Sequence, residues 1–173
     1  IHLGSAVLIP SNRIAPGTAN GFASLNKLAP GRIHLGFSTG FTARRTMGLP
    51  AVKLAEMEEH IRIVRALLGG ETTEWDYEGK RRKIRFLNPD LGQINIEDSI
   101  PLHISAMGPK GRRLTARLGA NWIDSVPNLE RGVADVTDMR AAWGEAGHDP
   151  DDFYTTAITG GCVLDEGEPY DSP

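Results

Sequence analysis

A chain of 173 residues with a net charge of −3 is long enough to bury one core and carries no general basic field for nucleic acid. Its single cysteine, Cys162, rules out an internal disulfide and a cysteine-rich metal site, and fits a reducing, cytoplasmic compartment. No apolar run approaches the length of a membrane span, and the sequence opens on Ile1 inside what reads as a strand, as a segment of a longer polypeptide would.

Residues 1–9 form a near-continuous apolar run closed by Pro10, the pattern of a parallel strand buried on both faces. The small residues Gly4, Ser5 and Ala6 admit either a closely approaching ligand or tight packing inside a barrel. Residues 10–16 read as a loop and 17–28 as a helix, with Phe22, Leu25 and Leu28 at helical spacing. Pro30 and Gly31 punctuate the chain, and 33–37 is a short apolar strand bounded by glycines. Strand, helix and strand in succession imply parallel pairing with a right-handed crossover. Ser38, Thr39 and Gly40 follow at the strand's carboxyl end, where open α/β sheets and barrels bind ligands; the same tripeptide also suits an ordinary β-to-α turn.

Residues 41–49 read as a polar loop, with Arg44 and Arg45 either solvated or meeting an anionic ligand tail. The clearest helix spans 50–68. Pro50 suits its first position, and Leu54, Met57, Ile61, Val64 and Leu68 mark one face. Glu58 and Arg62 pair on the wet side, His60 sits among surface charges, and Gly69 and Gly70 end the helix. Residues 71–87 give a hairpin around Glu78, Gly79 and Lys80. Its basic cluster, Lys80, Arg81, Arg82, Lys83 and Arg85, lacks regular aromatic interleaving and reads as a solvated face. Residues 88–99 continue as a loop.

Residues 100–105 read as another strand. The small-residue turn at 106–111 opens a helix over 112–118, whose first N–H groups suit a phosphate, with Lys110 adding charge; a plain β-α turn with Pro109 at the helix start is the alternative. Residues 121–126 give a fourth strand. A helix over 129–146 has Leu129, Val133, Val136 and Trp143 on one face, and 148–150 break it. Residues 153–164 form a fifth strand region interrupted by Gly160 and Gly161, and 165–173 are polar and loose. Strands alternate with helices and nothing closes the sheet. An eight-stranded α/β barrel seen without its beginning and end therefore fits better than a complete five-stranded fold with two bare edges. The chain reads as one domain, 1–173, with 71–99 as an insertion.

Three separated stretches, in order, carry a resemblance. They are Leu3-Gly4-Ser5-Ala6-Val7-Leu8-Ile9-Pro10; Ala29-Pro30-Gly31-Arg32-Ile33-His34-Leu35-Gly36-Phe37-Ser38-Thr39-Gly40, running on through 43–48; and Ile100-Pro101-Leu102-His103-Ile104-Ser105-Ala106-Met107-Gly108-Pro109, followed by 118–123. Together they resemble the bacterial luciferase-like superfamily of flavin- or coenzyme F420-dependent oxidoreductases over most of residues 1–126. The resemblance implies a (β/α)8 TIM barrel, with this chain as its central part, about strands 3 to 7, and a hairpin insertion before the fifth strand. It implies a non-prolyl cis peptide at Ala6-Val7 behind the tricyclic ring, and cofactor contacts from three groups of residues. These are Ser5, Ala6 and Val7; Ser38, Thr39 and Gly40 on the ribityl chain or phosphate; and Ser105, Ala106, Met107 and Gly108. Luciferase itself has an arginine where this chain has Thr39, which leaves Arg44 or Arg45 as substitutes.

The activity so implied is a luciferase-like, flavin-dependent monooxygenase using reduced FMN and oxygen on a small organic substrate. One alternative is hydride transfer with coenzyme F420, which the Ser-Thr-Gly loop and the missing arginine suit. Another is a shortened barrel that holds a flavin without turnover. No catalytic residue is assigned, because the family's first two strands would lie upstream of Ile1. Family members commonly form dimers, so a homodimer is expected, with no metal, nucleic-acid or membrane partner.

Overall fold

The computed structural model describes residues 1–160 and 163–169. Five parallel strands lie in the order β1 (Leu3–Gly4), β2 (Ile33–Phe37), β5 (Leu102–Ser105), β6 (Asn121–Ser125) and β7 (Thr155–Ile158). Crossovers run through α1 (Ala15–Leu28), α4 (Pro109–Arg117) and α5 (Leu129–Glu145). Between β2 and β5 the chain makes α2 (Phe41–Thr46), α3 (Leu54–Leu68) and a separate antiparallel hairpin of β3 (Thr73–Tyr77) and β4 (Lys80–Ile84). Glu78 and Gly79 turn the hairpin, both at positive φ (52° and 69°), as a two-residue turn between twisted strands requires.

Side chains alternate across a strand, so the sheet has two unlike faces. Leu35, Phe37, Leu102, Ile104 and Trp122 join Met57, Ile61, Val64 and Leu67 of α3, Leu114 of α4, and Met139 and Trp143 of α5 in one buried core. The alternate residues, among them His34, Gly36, His103, Ser105 and Ile123, belong to the opposite face. One face is thus set by helix packing, and the other carries polar and small residues together with Ile123.

Several expectations need correction. Of residues 1–9 only Leu3 and Gly4 join a ladder, and Leu8 makes a single bridge to Phe37. Far from being buried on both faces, β1 is an exposed edge strand. The buried stripe of α1 is Ala15, Thr18, Ala19, Ala23 and Asn26, while Leu25 and Leu28 face solvent. Small side chains fill the narrow space under this helix. Asn26 is satisfied there by donating to the Asp98 carbonyl (2.9 Å) and accepting from Gly31 N–H (3.3 Å). Residues 41–46 are helical, not a loop, since Phe-Thr-Ala-Arg-Arg-Thr contains no breaker.

The next helix starts at Leu54 rather than Pro50. Residues 50–53 serve instead as a strap, with Val52 N–H donating to the Thr39 carbonyl (2.9 Å). Its wet face pairs differently as well. Arg62 clasps Glu59 (2.7 Å), and Glu58 meets Arg117 (2.7 Å) on α4. His60 is not a surface residue: its Nε2 is buried without a partner, and its ring stands edge-on to Phe37 at 5.4 Å. On α5 the inward set is Asp135, Met139, Ala142 and Trp143, so Leu129 and Val133 are exposed. The fifth strand region narrows to Thr155–Ile158. Gly161, Cys162 and residues 170–173 lie outside the described residues. No helix among the described residues is long and apolar enough to cross a membrane.

Candidate functional site

Parallel strands deliver their carboxyl ends to one side, and there a cleft of about 570 Å³ opens. Its walls come from three distant segments: Ala6, Val7 and Ile9; Ser38 to Ala43; and Ser105 and Met107. Ile123 and Ile158 form a further apolar side.

The first wall is fixed by its approach to β2. Ser5 Oγ accepts from Gly36 N–H (2.9 Å) and donates to the Gly36 carbonyl (3.1 Å). The Ser5 carbonyl lies 2.2 Å from where a Cβ on Gly36 would stand, so only glycine fits there. The Ala6-Val7 peptide is cis. Past it, Leu8 N–H donates to the Gly36 carbonyl (2.8 Å), and Ser38 N–H donates to the Leu8 carbonyl (3.0 Å). Ala6 and Val7 therefore sit off the ladder, held at both ends.

Gly40 shapes the second wall. It adopts φ 74°, and a Cβ on it would meet Ile9 side-chain atoms at 2.7 Å. Its N–H donates to Ser38 Oγ (3.1 Å), while the strap at Val52 holds Thr39. The third wall is tied from behind: the Trp122 indole N–H donates to the Ala106 carbonyl (2.8 Å), and Arg112 Nη1 to the Met107 carbonyl (3.0 Å). The hydroxyls of Thr39, Thr42 and Ser105 line the cleft and make no hydrogen bond among the described residues. They are the free polar groups that an incoming ligand would meet.

Of the ten residues expected at a cofactor, seven line this cleft: Ala6, Val7, Ser38, Thr39, Gly40, Ser105 and Met107. Ser5 instead braces Gly36, Ala106 is buried behind the rim, and Gly108 stands at the entrance to α4. Neither Arg44 nor Arg45 lines the cleft. Arg44 Nε donates to the Pro50 carbonyl (2.5 Å), and Arg45 lies over the Phe41 ring at 5.6 Å. Lys110 is exposed on the first turn of α4, also outside the lining.

Sequence reasoning missed Ile9, the first turn of α2, Ile123 and Ile158. Ile158 was accessible in principle, since it ends a strand where side chains reach a carboxyl-end cleft. Arg112 and Trp122 gave no signal, because a buried arginine or indole donor looks the same in sequence as an exposed or idle one.

On the polar face of the sheet, away from the lining, three imidazoles form a row. His2 Nδ1 lies 3.0 Å from His34 Nε2, and His34 Nδ1 lies 2.8 Å from His103 Nε2. Each contact needs one proton, so neutral rings satisfy both, whereas full protonation sets donors against donors. Burial first, and then the neighbouring ring, hold the His34 and His103 imidazoles below their ordinary value of 6.5; burial alone does the same for His60. The unfolded chain thus takes up protons before the folded one. Stability is expected to be full above pH 6.5 and to fall as acid is added below it. Thermal melts at about pH 8 and pH 5 measure this, and His34→Asn should shrink the difference. Equal midpoints at the two pH values would show that the row is not coupled to folding.

Comparison with known proteins adds the family. The sequence model for luciferase-like monooxygenases matches residues 1–168. The F420-dependent glucose-6-phosphate dehydrogenase of Beutenbergia cavernae is 35% identical over 131 residues, 71% of this chain and 37% of the relative. Among solved structures, the coenzyme F420 dependent tetrahydromethanopterin reductase from Methanopyrus kandleri superposes with a TM-score of 0.77 at 22% identity, over 92% of this chain and 50% of that one. The oxygenating constituent of 3,6-diketocamphane monooxygenase of Pseudomonas putida, solved in complex with FMN, superposes at 0.72 with 14% identity, over 91% and 48%. The chain thus spans half or less of the length of these proteins. Its parallel sheet corresponds to half of a TIM barrel, with the helix-covered face outward.

Proposed function

Because the chain belongs to the luciferase-like monooxygenase family, we propose that its cleft receives the deazaflavin coenzyme F420 and serves hydride transfer with a small organic substrate. The observation that carries this is the gathering of Ala6-Val7, Ser38 to Gly40, and Ser105 and Met107 on one cleft, in a chain 30–35% identical to several proteins named F420-dependent glucose-6-phosphate dehydrogenase.

The residues present fit such a group. Ala6, Val7, Ile9, Ile123 and Ile158 offer an apolar bed for a flat ring, at a volume ordinary for a cofactor site. Thr39, Thr42 and Ser105 offer hydroxyls to a polyol chain, and the entrance to α4 offers N–H groups to an anion. Bound there, the coenzyme would supply the hydride chemistry; the chain would orient it and keep water from its ring.

The second reading is a flavin monooxygenase on FMN. It is favoured by the absence of any lysine, arginine or histidine from the cleft lining among the described residues, since a long polyanionic tail would want cations along its exit. Titration of the purified protein with each cofactor, followed by absorbance and fluorescence, separates the two. F420 is expected to saturate with a Kd at least about tenfold below that of FMN, a difference of about 1.4 kcal/mol. Tighter FMN binding would reverse the order, and no saturable binding of either would remove the cleft as a cofactor site.

A further inference from the structure

Arg112 is 4% exposed, and a buried guanidinium is costly unless its charge is paired; its Nε is buried without a partner, so the two Nη groups carry all of its contacts. Its Nη1 donates to Asp135 Oδ1 (3.0 Å) and its Nη2 to Asp138 Oδ2 (3.0 Å). Asp135 is itself buried, and its other oxygen accepts from Arg131 Nε (2.7 Å). These contacts neutralise the charge. One remaining contact is not to a counter-ion: Nη1 also donates to the carbonyl of Met107, on the cleft rim (3.0 Å).

The carbonyl before it, on Ala106, is taken by the Trp122 indole. In a trans peptide unit the N–H points opposite to the carbonyl. With both carbonyls drawn inward, the N–H groups of Met107 and Gly108 are turned away from Arg112 and Trp122. Neither makes a hydrogen bond among the described residues.

We propose that Arg112, held by Asp135 and Arg131, is a positioning residue that fixes the Met107–Gly108 peptide of the cleft rim and thereby sets affinity for the anionic cofactor. The inference rests on the cofactor reading above. A lysine keeps the charge but has a single, less far-reaching nitrogen, so it cannot meet Asp135, Asp138 and the Met107 carbonyl together as Nη1 and Nη2 do.

The test is Arg112→Lys, with Arg131→Gln as a milder variant should the first fail to fold, and Ile61→Val as a core variant away from the cleft. Kd for F420 and FMN, melting midpoint and amide NMR shifts are measured on each. Arg112→Lys is expected to weaken binding of the preferred cofactor at least tenfold and to move the Met107 and Gly108 amide signals. Arg131→Gln should weaken it less. Ile61→Val should lower the melting midpoint while leaving Kd within twofold of wild type. Wild-type Kd in Arg112→Lys, or equal loss in Ile61→Val, would overturn the proposal. If the wild-type protein binds neither cofactor, the cofactor reading falls, and unmoved rim amides in Arg112→Lys would separately overturn the clamp.

Discussion

Gly36→Ala is expected to destabilise the protein by about 3 kcal/mol, the upper end for overpacking a filled site, and to weaken cofactor binding at least tenfold. The added methyl would stand 2.2 Å from the Ser5 carbonyl oxygen, a separation no contact allows. The obstacle is backbone, so no rotamer change relieves it. Either β2 moves out of register with β5, which opens the core at Leu35 and Phe37, or the 5–7 segment moves off β2. The second path breaks both Ser5 hydrogen bonds to Gly36 and carries Ala6 and Val7 away from the cleft. Gly21→Ala is the matched contrast. It sits inside α1, and its Cβ would meet only the tip of the exposed Arg13 side chain, at 3.3 Å. There the same change should stabilise by about 0.5–1 kcal/mol, through helix propensity. Urea titrations of both variants, with Kd on the same samples, decide the matter. A Gly36→Ala protein as stable as wild type would mean that Ser5 does not press on β2.

That position also marks how far sequence reasoning reached. The strand at 33–37, the loop after it and a turn opening at Ala106 were legible because each has a local signature: an apolar run between glycines, then small polar residues; the helix that follows starts at Pro109, three residues earlier than expected. Their convergence on one cleft was not local information. It came from the resemblance, which also gave the cis peptide at Ala6-Val7, where the chain has no proline to announce it. What failed was the orientation of helices. Leu25, Leu28, Leu129 and Val133 have the spacing of a buried face, yet they are exposed, because propensity and period do not say which stripe a neighbour will cover. In α1 and α5 the covered stripe includes Asn26 and Asp135, polar residues whose burial depends on partners dozens of positions away or on another helix. His60 was misread for the same reason: its neighbours in sequence are charged, while its neighbour in space is Phe37.

Trp122→Ala is expected to destabilise by about 4 kcal/mol, and Trp122→Phe by about 2 kcal/mol, for different reasons. Trp122 is fully buried at the centre of the core, so truncation leaves a large cavity between β6 and the helices. Phenylalanine refills most of that space but cannot donate to the Ala106 carbonyl, now bonded at 2.8 Å, and so leaves a buried acceptor unpaired. The smaller change therefore isolates the hydrogen bond. If that bond helps to orient the rim, Trp122→Phe should lose cofactor affinity in excess of what its stability loss predicts. It should also couple to Arg112→Lys, whose contact is with the next carbonyl in the chain. A double-mutant cycle on Kd is expected to give a coupling of about 1 kcal/mol, well above the few tenths seen for independent sites. Strict additivity would mean that the two carbonyls are held separately. The indole would then be a core residue that happens to donate, and Arg112 alone would carry the rim.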